Sequence, residues 1–221
     1  MEAHKHIIWD WNGTLIDDVD IVIDAMNVLL KKRKLTLLDY KTYKDIFTFP
    51  VQDYYAHLGF DFGIEAFEQL ATEYIAELNS DKYCFKLYTG VKEILDVIQM
   101  KGITQSILSA SQEEELKGIV KGLGISGYFN KIAGLDNHYA KSKVEKGKTI
   151  LDELELKPQE VLLVGDTIHD YEVSQEIGCD CLLVACGHQS YERLASLEVD
   201  IVNSLSDVMM YIQGATIHSA F

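Results

Sequence analysis

The 221-residue chain is 48% hydrophobic and has a formal net charge of -15. That length suits one large domain, or a domain with an insert, whose core needs no covalent staples. The acidic balance argues against a nucleic-acid or anionic-membrane partner, and it obliges any anionic substrate to find a local cation.

Ile7, Ile8 and Trp9 form a short apolar run and predict a buried strand. Asp10 ends it. An unpaired carboxylate is costly inside a sheet, but at a parallel strand's carboxyl end it faces the crevice where α/β proteins bind ligands. Gly13 permits a sharp turn, and Thr14 adds a hydroxyl just beyond it. Residues 19–34 predict a helix, with Val19, Val22, Ile23, Met26, Leu29 and Leu30 at helical spacing. Lys31-Lys32-Arg33-Lys34 suits that helix's C-terminus better than a phosphate-binding patch. From about 39 to 86 the pattern stays helical and becomes aromatic, broken by Pro50, Gly59 and Gly63. Its aromatics read mainly as core; Phe49, Pro50, Tyr54 and Tyr55 are candidates for a pocket mouth.

A helix bearing Val91, Ile94, Leu95 and Ile98 then leads to a strand at 103–108, which finishes in Ser109-Ala110-Ser111. Gln112-Glu113-Glu114-Glu115 opens a helix that runs to about Leu123. A strand near 131–133, a helix at 144–156 and a strand at 161–164 ending in Gly165-Asp166 follow. A short helix to Gly178 and strands at 181–184 and 201–202 complete the pattern. Gly187-His188-Gln189-Ser190 skirts the same sheet edge and reads as a structural loop rather than a phosphate or substrate contact. Cys84, Cys179, Cys181 and Cys186 form no CxxC pair and are expected as reduced thiols. No run approaches membrane-spanning length and no secretory signal is evident, so a cytoplasmic location is expected. The oligomeric state leaves no trace in the sequence.

Strands alternating with helices predict an α/β protein with a doubly wound, Rossmann-like parallel sheet. Residues 1–16 and 87–221 would form that core, and residues 17–86 an all-helical insert after the first strand. Three strands end in polar groups: Asp10, Ser109, and Asp166 with Asp170 one helical turn on. In a parallel sheet these ends share one edge. Three carboxylates in one crevice would raise each other's pKa unless a cation sits among them, and a hard divalent ion such as Mg²⁺ suits oxygen ligands. Helix capping is the simpler role for Asp166 and Asp170 taken alone. A lysine from the 141–148 segment would add positive charge.

These segments resemble the four motifs of the haloacid dehalogenase superfamily, in order and over nearly the whole chain. Asp10-Trp11-Asn12-Gly13-Thr14-Leu15 resembles the first motif, Ser109 the second, the basic stretch before Val144 the third, and Gly165-Asp166 with Asp170 the fourth. The insert resembles the helical cap of the phosphoglycolate phosphatase and β-phosphoglucomutase branch. The resemblance implies a Mg²⁺-dependent phosphatase acting on a small phosphorylated metabolite through an aspartyl-phosphate. Asp10 would be the nucleophile and a metal ligand, with the Asn12 carbonyl and Asp166 as further ligands and Asp170 bracing them. Gly13, Thr14, Ser109 and the Ala110 amide would hold the phosphoryl group. Lys141 and Lys143 both fit the third motif; Lys143 is preferred because it leads directly into the helix.

One position departs from the family pattern. Asn12 stands where most such phosphatases carry the Asp that protonates the leaving oxygen. An amide exchanges no proton at neutral pH, and losing a general acid/base costs typically ~10²–10⁴ in rate. A slow enzyme, one suited to good leaving groups, a proton supplied by His169 or a cap residue, and a phospho-ligand binder with vestigial catalysis all answer to this. Ser109-Ala110-Ser111 also resembles the second motif of a phosphomutase.

Overall fold

The first strand, β1 (His6–Trp9), is buried at all four positions and lies inside a six-stranded sheet. The computed structural model describes residues 4–80, 82–135 and 143–212. Before the second strand come α1 (Val19–Lys32), α2 (Tyr40–Ile46), α3 (Val51–His57), α4 (Phe67–Leu78) and α5 (Val91–Met100). Then follow β2 (Thr104–Gln112), α6 (Glu113–Gly122), β3 (Lys131–Leu135), α7 (Lys143–Glu153), β4 (Val161–Gly165) and α8 (Ile168–Ile177). The chain continues through β5 (Asp180–Val184), α9 (Tyr191–Leu194), β6 (Asp200–Val202) and α10 (Leu205–Ile212). The strand order is β3-β2-β1-β4-β5-β6 and every pairing is parallel. The expected doubly wound α/β architecture is therefore present.

Alternation along the strands sorts their side chains onto two faces. Ile7, Trp9, Ile107, Leu162 and Val164 pack with Val91 and Leu95 of α5 and Leu116 of α6. Ile8, Leu108 and Leu163 pack on the other side with Ile150 of α7 and Val173 of α8. A strand covered on both faces must be apolar at successive positions, which is why these strands read as continuous runs. No helix among the described residues is long and apolar enough to cross a membrane. All four cysteines are free thiols, with Cys84 exposed and Cys179 buried.

A separate apolar cluster draws only on residues between 19 and 74, including Met26, Leu30, Tyr43, Tyr54, Tyr55 and Leu70. The basic stretch at the end of α1 turns toward α4: Arg33 donates to Glu73 at 2.6 Å and to Glu65 at 2.7 and 2.8 Å. The chain segments leading into and out of this helical region pair with each other. Asp17 N donates to Lys86 O at 2.9 Å, Tyr88 N donates to Leu15 O at 3.0 Å, and Ile16 bridges Leu87 antiparallel.

The ends of α1, α7 and β2 differ from the sequence expectation. α1 stops at Lys32 and α7 at Glu153, each shortly before a residue in the left-handed region, Lys34 (φ 58°) and Glu155 (φ 54°). That conformation cannot continue a right-handed helix. β2 runs on to Gln112, because after an irregularity beyond Leu108 the ladder to β3 resumes at Gln112 and Leu135.

Candidate active site

Asp10 follows the last residue of β1, and its amide continues the ladder by donating to Val164 O at 2.8 Å. The backbone is thus held as strand while the carboxylate stands at the sheet's carboxyl edge. Its neighbour is Lys143, the first residue of α7, whose Nζ bonds Asp10 Oδ1 and also reaches Asp170 Oδ1 at 2.5 Å. Lys143 and both carboxylates are buried. Of the two candidate lysines, Lys143 is therefore at the site; Lys141 lies outside the described residues.

Asp170 serves two purposes. Its Oδ2 accepts from Thr167 Oγ1 (2.7 Å), Thr167 N (3.0 Å) and Asp166 N (3.2 Å), closing a capping box at the start of α8. Its other oxygen is free to meet Lys143. The capping role and the site role are thus compatible, because each uses a different oxygen. Asp166 sits just before the cap. Thr14 Oγ1 donates to its Oδ1 at 3.2 Å, and His188 N donates to its Oδ2 at 2.5 Å. Thr14 therefore orients a carboxylate across the strands. Gly13 has φ 72°, and a Cβ there would collide with the Asp166 carboxylate and the His188 ring. Only glycine lets the turn after β1 approach this closely.

The Asn12 side chain is pinned at both ends. Its Nδ2 donates to Asp18 Oδ2 at 2.6 Å, and its Oδ1 accepts from Ser111 Oγ at 2.8 Å. Asp18 also accepts from Gly13 N at 2.9 Å and lies 3.4 Å from His188 Nε2. His188 Nδ1 lies 2.8 Å from the Tyr43 hydroxyl of α2. Burial alone would lower the His188 pKa, but Asp18, Asp166 and Asp10 outweigh it and bring it to about 9. His188 thus joins the 187–190 loop, the Asp10 turn and α2, with nearby carboxylates favouring its charged form.

The Gly187-His188-Gln189-Ser190 loop, expected to be structural, braces the site by direct contact with Asp166 and Asp18. Gly187 was the available signal: a Cβ there would strike Asp166 and the Gly13 carbonyl, so the loop must press against the site. Gln189 Oε1 further accepts from Ile168 N at the start of α8 (2.8 Å), while its Nε2 donates to Phe47 O (3.0 Å).

Ser109 is buried on β2, and its Oγ accepts from Ser111 N at 3.0 Å. Ser109 and Ala110 line one cavity of about 260 Å³ together with Asp10, Asn12, Lys143, Asp166 and Asp170. Phe49, Tyr54 and Tyr55 line it too, but Tyr54 and Tyr55 are buried in the helical core rather than standing at a mouth. Pro50 is exposed and stands outside the cavity wall. His169 lies at the cavity, 3.4 Å from Glu172 and close to the Phe49 ring.

Asp10, Asp166 and Asp170 each offer a carboxylate oxygen within 4.8 Å of the others. Burial and the neighbouring carboxylates push Asp10 upward, against the pull of Lys143. Burial likewise raises Asp166, partly offset by His188. Asp170 resists its burial because Lys143 and Thr167 hold it below the usual carboxylate range. Two of three carboxylates are therefore short of positive charge. The donor set, all oxygen and all buried, fits a hard divalent cation.

The fold and site define an α/β protein with a carboxylate–lysine centre at the carboxyl edge of a parallel sheet. A sequence model of haloacid dehalogenase-like hydrolases matches residues 7–184. The chain belongs to that family. It is 26% identical to a phosphoglycolate phosphatase of Pectobacterium atrosepticum over 135 residues, 60% of this chain and 58% of that protein. That match spans little more than half of the relative's length. It is 24% identical to the pyrophosphatase PpaX of Anoxybacillus flavithermus, over 95% of this chain and 97% of that one. A haloacid dehalogenase-like family hydrolase from Streptococcus pneumoniae shares the fold, with a TM-score of 0.83 at 21% identity, covering 96% of this chain and all of that one.

Proposed function

We propose that this chain is a Mg²⁺-dependent phosphatase that hydrolyses a small phosphorylated molecule through an aspartyl-phosphate on Asp10. The observation that carries the reading is the meeting of Asp10, Asp166, Asp170 and Lys143 from two strand ends and two helix starts. An Asp10 oxygen attacks phosphorus and the bond to the leaving oxygen breaks; water then cleaves the acyl phosphate and frees Asp10. Lys143 neutralises phosphoryl charge and favours the ionised form of Asp10 against its burial. Ser109 and the Ala110 amide hold phosphoryl oxygens, while Gly13 and Thr14, which do not line the cavity, act by placing the Asp166 carboxylate. Asp10, Asp166 and the Asn12 carbonyl would hold the cation, with Asp170 bracing them. When bound, Mg²⁺ supplies charge neutralisation of the phosphoryl oxygens. Positioning and charge neutralisation are the main requirements of phosphoryl transfer.

Residues 17–86 act as a cap over this centre, and residues 1–16 with 87–221 form the core. The match to a phosphoglycolate phosphatase and to a pyrophosphatase supports phosphate-ester or anhydride hydrolysis without selecting a substrate.

The test is phosphate release from p-nitrophenyl phosphate with Mg²⁺, for wild type and Asp10→Asn. Wild type should turn over, and Asp10→Asn should lose turnover while keeping a cooperative thermal melt. An Asp10→Asn variant retaining more than a few per cent of the rate would remove Asp10 as the nucleophile.

A further inference from the structure

The cavity that holds the carboxylate centre continues into the helical region, and there its wall changes character. Ile75 and Leu78 of α4, three residues apart and so on one helix face, line it beside Val22, Phe85 and Ile119. All five are half-buried. Among the described residues, Ile75 and Leu78 are packed against none of the three apolar clusters. Two aliphatic side chains thus border a cavity while contributing to no core.

Charge in the cavity wall is equally specific. Lys143, His169 and His188 are its only basic residues among those described. Each already faces an acid: Lys143 meets Asp10 and Asp170, His188 meets Asp18, and His169 meets Glu172. Among the described residues, a leaving group with a second carboxylate or phosphate would find no unengaged cation there. It would also face Asp18 and Glu115, which line the same cavity.

A third observation is independent of the wall. Asn12 is held between Asp18 and Ser111 and has no proton to give at neutral pH. A leaving oxygen must then depart without help from that position. Phenolic oxygens, with pKa near ~10, do this far more readily than alcohols.

We propose that the substrate is an aryl phosphate monoester: an uncharged aromatic leaving group against Ile75, Leu78, Phe85 and Ile119, with its phosphate at Asp10. This rests on the phosphatase reading above and specifies its substrate class. As the Asp10 oxygen–phosphorus bond forms, the phosphorus–aryl-oxygen bond breaks. The electron pair departs on a phenolate, which takes its proton from water. The cavity of about 260 Å³ is large enough; about 150 Å³ of apolar cavity accommodates a benzene ring.

The experiment compares, at saturating Mg²⁺, kcat/KM for phenyl phosphate, 2-phosphoglycolate and pyrophosphate. Inhibition by non-hydrolysable benzylphosphonate and phosphonoacetate separates recognition from intrinsic reactivity. Phenyl phosphate should be favoured, and benzylphosphonate should inhibit roughly tenfold or more better than phosphonoacetate. Leu78→Arg, checked for an unchanged melt, should reverse the inhibitor order by placing a cation in the apolar wall. Preference for phosphoglycolate or pyrophosphate, with phosphonoacetate the better inhibitor, would overturn the aryl proposal and leave the phosphatase reading standing. Absence of turnover on every ester would instead defeat the phosphatase reading. Calorimetric binding of the two phosphonates would then decide the leaving-group class, with tighter phosphonoacetate overturning it.

Discussion

The Asn12 carboxamide donates to the Asp18 carboxylate across 2.6 Å, so the group standing in the acid/base position is tied to the base of α1. Replacing it by a carboxylic acid would set two carboxyls at hydrogen-bonding distance. One of such a pair keeps its proton to a higher pH. Asn12→Asp should therefore create a general acid and raise turnover of an unactivated alkyl phosphate, by up to ~10²-fold or more. The gain on phenyl phosphate should be smaller, because its leaving oxygen needs less help. Steady-state rates on both esters check this; a lower rate on the alkyl ester would count against it.

A cation held by Asp10, Asp166 and the Asn12 carbonyl, with Asp170 bracing them, should also stabilise the fold. Mg²⁺ at about a hundred times its dissociation constant contributes about 2.7 kcal/mol to a protein that binds it only when folded. Wild type should melt at a higher temperature with Mg²⁺ than with a chelator. Asp166→Asn should lose most of that shift, since it removes one of three oxygens from the cluster. Equal shifts in both proteins would place the ion elsewhere.

Lys143 is buried between two acids, and its removal leaves them facing each other. Breaking a buried pair from one side costs about 3–5 kcal/mol. Lys143→Met should lose stability on that scale in urea denaturation without added metal. Combining it with Asp10→Asn should recover part of the loss, because one unpaired carboxylate disappears. Additive losses in the double variant would show that Lys143 acts through something other than these carboxylates.

The central strand gives the protein an acid-sensitive point away from the site. Burial lowers the His6 imidazole from 6.5 to about 4. Its Nδ1 lies 2.7 Å from Thr104 Oγ1, and among the described residues its Nε2 has no partner. Below pH 6.5 the unfolded chain takes up a proton that the folded chain refuses. The contribution is therefore complete above 6.5 and is lost as the pH falls toward 4, by about 1.4 kcal/mol per pH unit. Urea midpoints at about pH 7.5 and pH 5 should differ more for wild type than for His6→Gln.

Local rules read well wherever one element decided the outcome. The apolar runs at 7–9, 161–164 and 181–184 became buried strands, because a strand covered on both faces has no room for polar side chains. Asp10, Ser109 and Asp166 were recognisable because a polar residue closing such a run must face the sheet edge. The spacing of Asp170 from Asp166 already carried its capping geometry.

Contacts between distant segments were decided only by the packed chain. The sequence preferred Lys143 over Lys141 only for its place before the helix; the start of α7 against β1 put it between Asp10 and Asp170. His188 read as a loop residue because its partners, Asp18, Tyr43 and Asp166, come from separate elements. The apolar chamber was equally hidden, since Ile75 and Leu78 look like ordinary helix core until the helices around them are in place. Periodicity reports which face of an element avoids water, and it is tertiary packing that determines whether that face meets another side chain or a cavity.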